Sequence, residues 1–391
     1  MLPTTGTERA LPSSSSTASS SVAAAPPIVW PAENPADPAS SVPLVRLPTG
    51  HLMPMLAIGT GKAPSAALPG AAAVAAPVRM GKGRRRLKRP PPGAVFALLN
   101  ASLGLGFRHI DTSEVYPGFG EIGAALRVRP RAELFLTSKV DPTVRHVASG
   151  SGGALTCRGP TSKACYDSIS SATNATLARL GTPYVDLLLL HRPPRREGRR
   201  DGDATDGATM QCNKLREAWR ALEDAHLRGA ARSIGLSNCC AGMLRCLASH
   251  MALRIPPAVV QFMHHVGMGS SPLGYREWVA KRWGTVYMAY SVLGGVEGDF
   301  GKITSAPTVR RIAEAHRSSA ANIALSWVAQ LGMPLVVLSG NADHLKEDLR
   351  LFKGPPWGSL SPDEMAELST LRAPPGRPSH WGDCVDSELH E

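Results

Sequence analysis

The chain has 391 residues, 43% of them hydrophobic, and a formal net charge of +12. That length holds two or three ordinary domains or one α/β barrel, and no run of about 18 apolar residues is present to cross a bilayer. Gly (38) and Pro (34) are too frequent for long uninterrupted helices or a fibre. The seven cysteines are odd in number and form no C-x-x-C pair. They predict free thiols in a reducing compartment and neither a disulfide framework nor a zinc site.

Residues 1–42 form a Ser-, Ala- and Pro-rich tail that cannot bury enough apolar surface to order itself. The expected location is the cytoplasm, with the plastid as the alternative, because a Ser-rich, acid-poor tail also suits a transit peptide. The folded part is predicted over 43–372, with insertions near 61–93, 141–160 and 192–212 and a C-terminal tail over 373–391. The first insertion holds seven basic residues between Arg79 and Arg89 and no acid. It lacks aromatic residues for base stacking, and Pro90, Pro91 and Pro92 stop a basic helix, so a nucleic-acid partner is not favoured.

Between these segments, eight apolar runs of strand length alternate with helical patterns. The runs are 55–59, 107–111, 134–138, 185–190, 233–237, 259–262, 286–290 and 335–338. Several are continuous, as in Val185-Asp-Leu-Leu-Leu-Leu190, which suits strands covered on both faces. Ile169, Ala172, Thr173, Leu177 and Leu180 make a helical stripe closed by Gly181, and Leu215, Ala218, Trp219 and Leu222 make another before Gly229. Ser361-Pro-Asp-Glu364 is a capping box. The alternation predicts an α/β fold, a (β/α)8 TIM barrel, with a doubly wound sheet as the alternative.

The ends of these runs carry polar chemistry. Run two ends at Asp111 with Tyr116 five residues on, run three in Ser138-Lys139, run four before His191, and run five in Ser237-Asn238. Gln261 lies in run six, and run seven closes on Tyr290-Ser291. In a barrel these positions converge on one mouth. Tyr is a weak acid at neutral pH, but an ammonium beside it favours the phenolate, by roughly 4 kcal/mol at about 4 Å and an effective dielectric near 20. Lys139 is therefore expected to lower the Tyr116 pKa, Asp111 to keep Lys139 charged and fixed, and His191 to orient a carbonyl oxygen. Such a site donates a proton and needs a separate source of electrons.

These residues resemble the aldo-keto reductase family, over about Leu52 to Leu371. Gly106-Phe-Arg-His-Ile-Asp111-Thr-Ser-Glu-Val-Tyr116 looks like the segment bearing the family's catalytic Asp and Tyr. Glu133-Leu-Phe-Leu-Thr-Ser-Lys139 resembles the one bearing its Lys, and Tyr184-Val-Asp-Leu-Leu-Leu-Leu-His191-Arg-Pro193 the one bearing its His. The resemblance implies NADPH, with NADH as the alternative, transferring hydride to a small-molecule aldehyde or ketone with no metal. It implies cofactor contacts at Thr60, Asp111, Ser237, Asn238, Gln261, Ser291, Leu293, Ser339, His344 and Glu347, with Tyr290 stacking beneath the nicotinamide.

The departures are specific. Gly118 and Phe119 stand where the family usually reads Asn-Glu, and Gly61 where a Trp often follows the first strand. Leu338 and His344 replace the Lys and Arg expected around an adenosine 2′-phosphate, and Asp348 replaces an Asn. Two fixed positive charges are missing there, which weakens the expected preference for NADPH. A cofactor-binding regulatory subunit with little turnover is therefore the alternative reading.

Three other signals are set aside. Gly118-Phe-Gly120-Glu-Ile-Gly123 satisfies a dinucleotide fingerprint but does not follow a strand directly. Gly235-Leu-Ser237-Asn-Cys239 misses the nucleophile elbow at its last position. His264-His265 lacks further ligands at metal spacing and suits a core or loop placement.

Overall fold

In the computed structural model the eight apolar runs become eight parallel strands of a closed barrel. They are β1 (Leu56–Gly59), β2 (His109–Asp111), β3 (Phe135–Val140), β4 (Val185–Leu190), β5 (Ala231–Ser237), β6 (Val259–Met263), β7 (Val286–Tyr290) and β8 (Leu335–Val337). Each pairs with its neighbour in sequence, and β8 closes on β1. The TIM barrel expected from the alternation is therefore the fold. The structure describes residues 28–29, 42–61, 91–144, 146–147, 154–155, 157, 162–194, 206–249, 253–268, 271–294, 303–352 and 360–371.

Among the described residues there are ten α-helices, in chain order α1 (Ala94–Leu105), α2 (Phe119–Ala125), α3 (Lys163–Leu180), α4 (Asp206–Leu227), α5 (Ala241–Ser249), α6 (Ser271–Trp283), α7 (Pro307–Ala315), α8 (Ala320–Gln330), α9 (Ala342–Arg350) and α10 (Pro362–Thr370). The stripe Ile169, Ala172 and Leu180 of α3 is buried, and Gly181 ends that helix in the left-handed region. In α10 both bonds of the Ser361–Glu364 capping box form. No described helix is long and apolar enough to cross a membrane.

β4 is buried at all six positions, as its continuous apolar run requires. Its one acid, Asp186, accepts from Arg131 Nη2 (2.7 Å), Leu136 N (2.9 Å) and Arg232 Nη1 (3.2 Å). The two guanidinium groups also sit over the Tyr184 ring, 4.2 and 4.0 Å from its centroid. A buried carboxylate is tolerable when paired and hydrogen-bonded in this way, so Asp186 ties three strands together and takes no part in the mouth.

The amino-terminal end of the barrel carries an antiparallel hairpin, Leu44–Arg46 with Leu52–Pro54. Val45, Leu47 and Met53 are buried beneath it, and Thr49 Oγ1 lies 2.7 Å from Ser233 Oγ. This plug leaves the carboxyl ends of the strands as the open mouth.

Four expectations need correction or lie elsewhere. Ile28–Val29 pair with Leu44–Val45, so the unstructured tail does not extend through residue 42. A short ribbon, His146–Val147 with Ala154–Leu155, interrupts the loop expected over 141–160. α4 begins at Asp206, inside the segment assigned to the third insertion. The rest of the tail, the Arg79–Arg89 segment and residues 373–391 lie outside the described residues.

The cysteine reading is also corrected. Cys157 is bonded to Cys165 and Cys212 to Cys246, Cys240 is disulfide-bonded as well, and Cys239 is fully buried. Cys165 lies in the first turn of α3, its Cα 4.2 Å from that of Cys157, while packing of α4 on α5 brings Cys212 and Cys246 to a Cα separation of 5.8 Å. Spacings of 8 and 34 residues carry no sign of this, because the pairing follows from tertiary packing.

Candidate active site

A cleft of about 780 Å³ opens at the mouth, lined from Tyr116 at one end to His344 and Asp348 at the other. Lys139 is buried beneath it, with Nζ donating to Asp111 Oδ1 (2.5 Å) and to Thr112 O (3.2 Å). Asp111 Oδ2 accepts from Gln261 Nε2 at 2.7 Å. The carboxylate is thereby held on both oxygens, and the ammonium is aimed toward Tyr116, its Nζ 5.2 Å from the ring centroid.

Burial acts to depress the Lys139 pKa, but Asp111 and then Tyr116 hold it above its usual value, so it stays charged. For Tyr116, burial raises the phenol above its ordinary pKa, and the Lys139 charge, pulling the other way, does not offset it. The expected lowering is thus reversed in this structure. Desolvation disfavours the phenolate more than one ammonium, already shared with Asp111, favours it. The phenol keeps its proton at neutral pH.

His191 faces Tyr116 edge-on, ring centroids 5.5 Å apart. Its Nδ1 lies 3.0 Å from Ser113 Oγ and 3.6 Å from Asp141 Oδ2. Burial and then the Lys139 charge press its pKa down to about 3, leaving a neutral imidazole.

On the next strands Asn238 Nδ2 donates to His191 O (2.9 Å) and to Ser237 Oγ (3.1 Å). Ser237 Oγ donates to Gln261 Oε1 (3.4 Å), and the Tyr290 hydroxyl donates to Asn238 Oδ1. Asn238 and Ser291 both adopt left-handed backbone, φ 56° and 52°. Non-glycine residues pay a local energetic cost there, and such positions gather at functional sites.

The Aldo/keto reductase family model matches residues 79–372, three quarters of the chain. The chain belongs to the aldo/keto reductase family. Among its relatives, aldo-keto reductase family 1 member A1 of Cricetulus griseus is 28% identical over 352 residues, covering 86% of this chain and 90% of that one. NADPH-dependent codeinone reductase 1-4 of Papaver somniferum is also 28% identical, covering 85% and 90%. The solved aldose reductase of Schistosoma japonicum shares the fold at a TM-score of 0.60 and 24% identity, over 85% of this chain and 94% of that one.

In this aldo/keto reductase the cleft gathers Asp111, Tyr116, His191, Ser237, Asn238, Gln261, Tyr290, Ser291, Leu293, Ser339, His344 and Glu347 on its walls. Thr60 is not among them. It is fully buried, and its hydroxyl donates to Thr112 Oγ1 (2.8 Å), so it braces β1 against β2. His264, set aside as a ligand, is core: it is fully buried and stacked on Trp327.

The cleft suits a nicotinamide dinucleotide. Near Tyr116 the walls offer amide and hydroxyl groups, and further along they offer the Tyr290 ring and the apolar Val336 and Val337. A Cβ at Gly61 would stand only 3.3 Å from the Tyr116 ring, so the missing side chain keeps that wall open.

Sequence reasoning passed over Ser113, Asp141, Arg192 and Asp348 as site residues. Arg192 directly follows His191 in the family segment, and Asp141 stands two residues after Lys139. Position was therefore the available signal. Asp348 lines the far end, where burial and then the neighbouring Glu347 raise its pKa to about 7.

Proposed function

We propose that this chain reduces an aldehyde or ketone to an alcohol, using NADPH with NADH close to it in affinity. The observation that carries the reading is the buried chain Gln261–Asp111–Lys139 ending beneath the protonated Tyr116, with neutral His191 across from it. When bound, the reduced nicotinamide supplies the hydride that adds to the carbonyl carbon.

The residues supply the proton and the geometry. Tyr116 Oη gives its proton to the carbonyl oxygen, and Lys139 stabilises the phenolate left behind. His191 holds that oxygen in line with Tyr116 by a hydrogen bond, a neutral donor adding no charge of its own. Ser237, Asn238 and Gln261 form a polar rim for the carboxamide, and the Tyr290 ring offers a stacking face.

At the other end of the cleft the described lining residues are Leu338, Ser339, His344, Glu347 and Asp348, with no Lys or Arg among them. Lys346 is paired with Asp343 at 2.9 Å. A 2′-phosphate therefore gains no fixed ion pair from these residues, which supports weak discrimination between the two cofactors.

The test is a titration of both cofactors by fluorescence, followed by consumption of the reduced nicotinamide with a panel of reactive aldehydes. Turnover is expected, and Tyr116→Phe should lower it by about 10² to 10⁴ without weakening cofactor binding. Tight binding without turnover in the wild type would instead support the regulatory-subunit reading.

A further inference from the structure

The mouth holds one cation that the reaction does not use. Among the described residues lining the cleft, Arg192 is the only Lys or Arg. Its Nε lies 2.9 Å from Asp141 Oδ2. Asp141 is itself fixed: its side chain is 3% exposed, its Oδ1 accepts from Thr143 N (2.9 Å) and Thr143 Oγ1 (2.6 Å), and its backbone N–H donates to Glu114 Oε1 (2.8 Å). The carboxylate thus pairs with the guanidinium charge from its inner side, as an ion pair and not a formed hydrogen bond.

The outer edge is left for something else. The Arg192 side chain is 35% exposed, and its terminal nitrogens make no hydrogen bond among the described residues. Its charge acts on both Tyr116 and His191, lowering the pKa of each, so it stands beside the place where the carbonyl must sit. A guanidinium paired with a carboxylate on its Nε side offers its two terminal nitrogens as a planar fork. That fork matches a carboxylate with two parallel bonds.

We propose that Arg192 makes this reductase selective for carbonyl compounds carrying a carboxylate within about one ring's breadth of the reacting carbon, 2-oxo acids and short aldehyde acids among them. The proposal rests on the carbonyl-reductase reading and adds the substrate class. Asp141 acts as a positioning residue, holding the fork open toward the cleft.

The experiment compares acids with their uncharged amides on the full chain at saturating cofactor. The pairs are 3-carboxybenzaldehyde with 3-formylbenzamide, and phenylglyoxylate with its amide. The acid should be favoured in kcat/KM by about 10- to 100-fold, the range of hydrogen bonds to charged groups, and raising the ionic strength should shrink that ratio. In Arg192→Gln the ratio should fall toward one, and in Arg192→Lys it should be kept in part.

Benzoate, but not benzamide, should compete with a neutral aldehyde in the wild type, a readout that needs no variant to fold. Equal use of acid and amide by the wild type, or a ratio unchanged in Arg192→Gln, overturns the proposal while leaving the reductase reading intact. Reduction of neither, on a chain that still binds cofactor, removes both.

Discussion

Two acids stand three residues apart at the end of β2, in different surroundings. Asp111 faces the Lys139 ammonium, whereas Glu114 is buried against the backbone of Asp141. Burial is the main cause that raises the Glu114 pKa from 4.5 to about 7, and the Asp141 charge adds to it. Below about pH 4.5 both folded and unfolded chains hold this proton and the site is neutral to stability. As pH rises toward 7 the unfolded chain releases it first, so folding becomes costlier, on the order of 3 kcal/mol once both are ionised. Glu114→Gln keeps an acceptor for the Asp141 N–H and should be more stable than wild type at pH 8 by that amount. Near pH 4 the two should be equal, and urea unfolding at both values checks it.

The same physics explains where residue-level reading stopped. The residue types at Asp111, Tyr116, Lys139 and His191 are visible in the sequence, and so is the sign of each pairwise attraction. Burial is not visible, and burial decided the direction of the Tyr116 shift. Arg192 and Asp141 were overlooked for a related reason, since each looks like an ordinary loop charge until the fold puts one against the other.

Among the elements, legibility followed the strength of the periodic signal. β4 and β7 were readable to the residue, because their apolar runs are continuous and sharply bounded. The hairpin before β1 was missed, since strands of three residues leave too short a pattern to distinguish from a loop. The Gly118–Gly123 segment shows the opposite error that pattern matching invites. Gly118 has a left-handed φ of 75°, and a Cβ at Gly123 would stand 2.8 Å from the carbonyl oxygen of Leu180. These glycines let α2 turn and lie close against the end of α3, while Glu121 accepts the N–H groups of Gly93, Val95 and Phe96 at the start of α1. Gly123→Ala should therefore force the two helices apart and cost about 1–3 kcal/mol. Thermal unfolding of the cofactor-free chain would show the loss, and nicotinamide binding to the folded fraction should be unaffected.

For the molecule as a whole, the order of elements and the closed barrel were legible, because eight strand-and-helix alternations leave few other arrangements. The disulfides were not, and they bear on stability. The Cys212–Cys246 bond closes a 34-residue segment spanning β5, the strand that delivers Ser237 and Asn238. On chain-entropy grounds such a loop contributes about 3–4 kcal/mol. Cys212→Ser should lower the denaturation midpoint accordingly, and added reductant should then have a smaller further effect than it has on the wild type.

The hairpin plug has a kinetic consequence. With one end of the barrel sealed by Val45, Leu47 and Met53, everything that reacts must use a single doorway. The groups suited to the nicotinamide, Gln261 and Ser237, are almost fully buried, whereas Arg192 and Leu293 stand at the rim. Whatever fills the depth must arrive before whatever fills the rim, and must leave after it. Turnover then becomes a queue, with entry and exit in a fixed order that product-inhibition patterns would reveal.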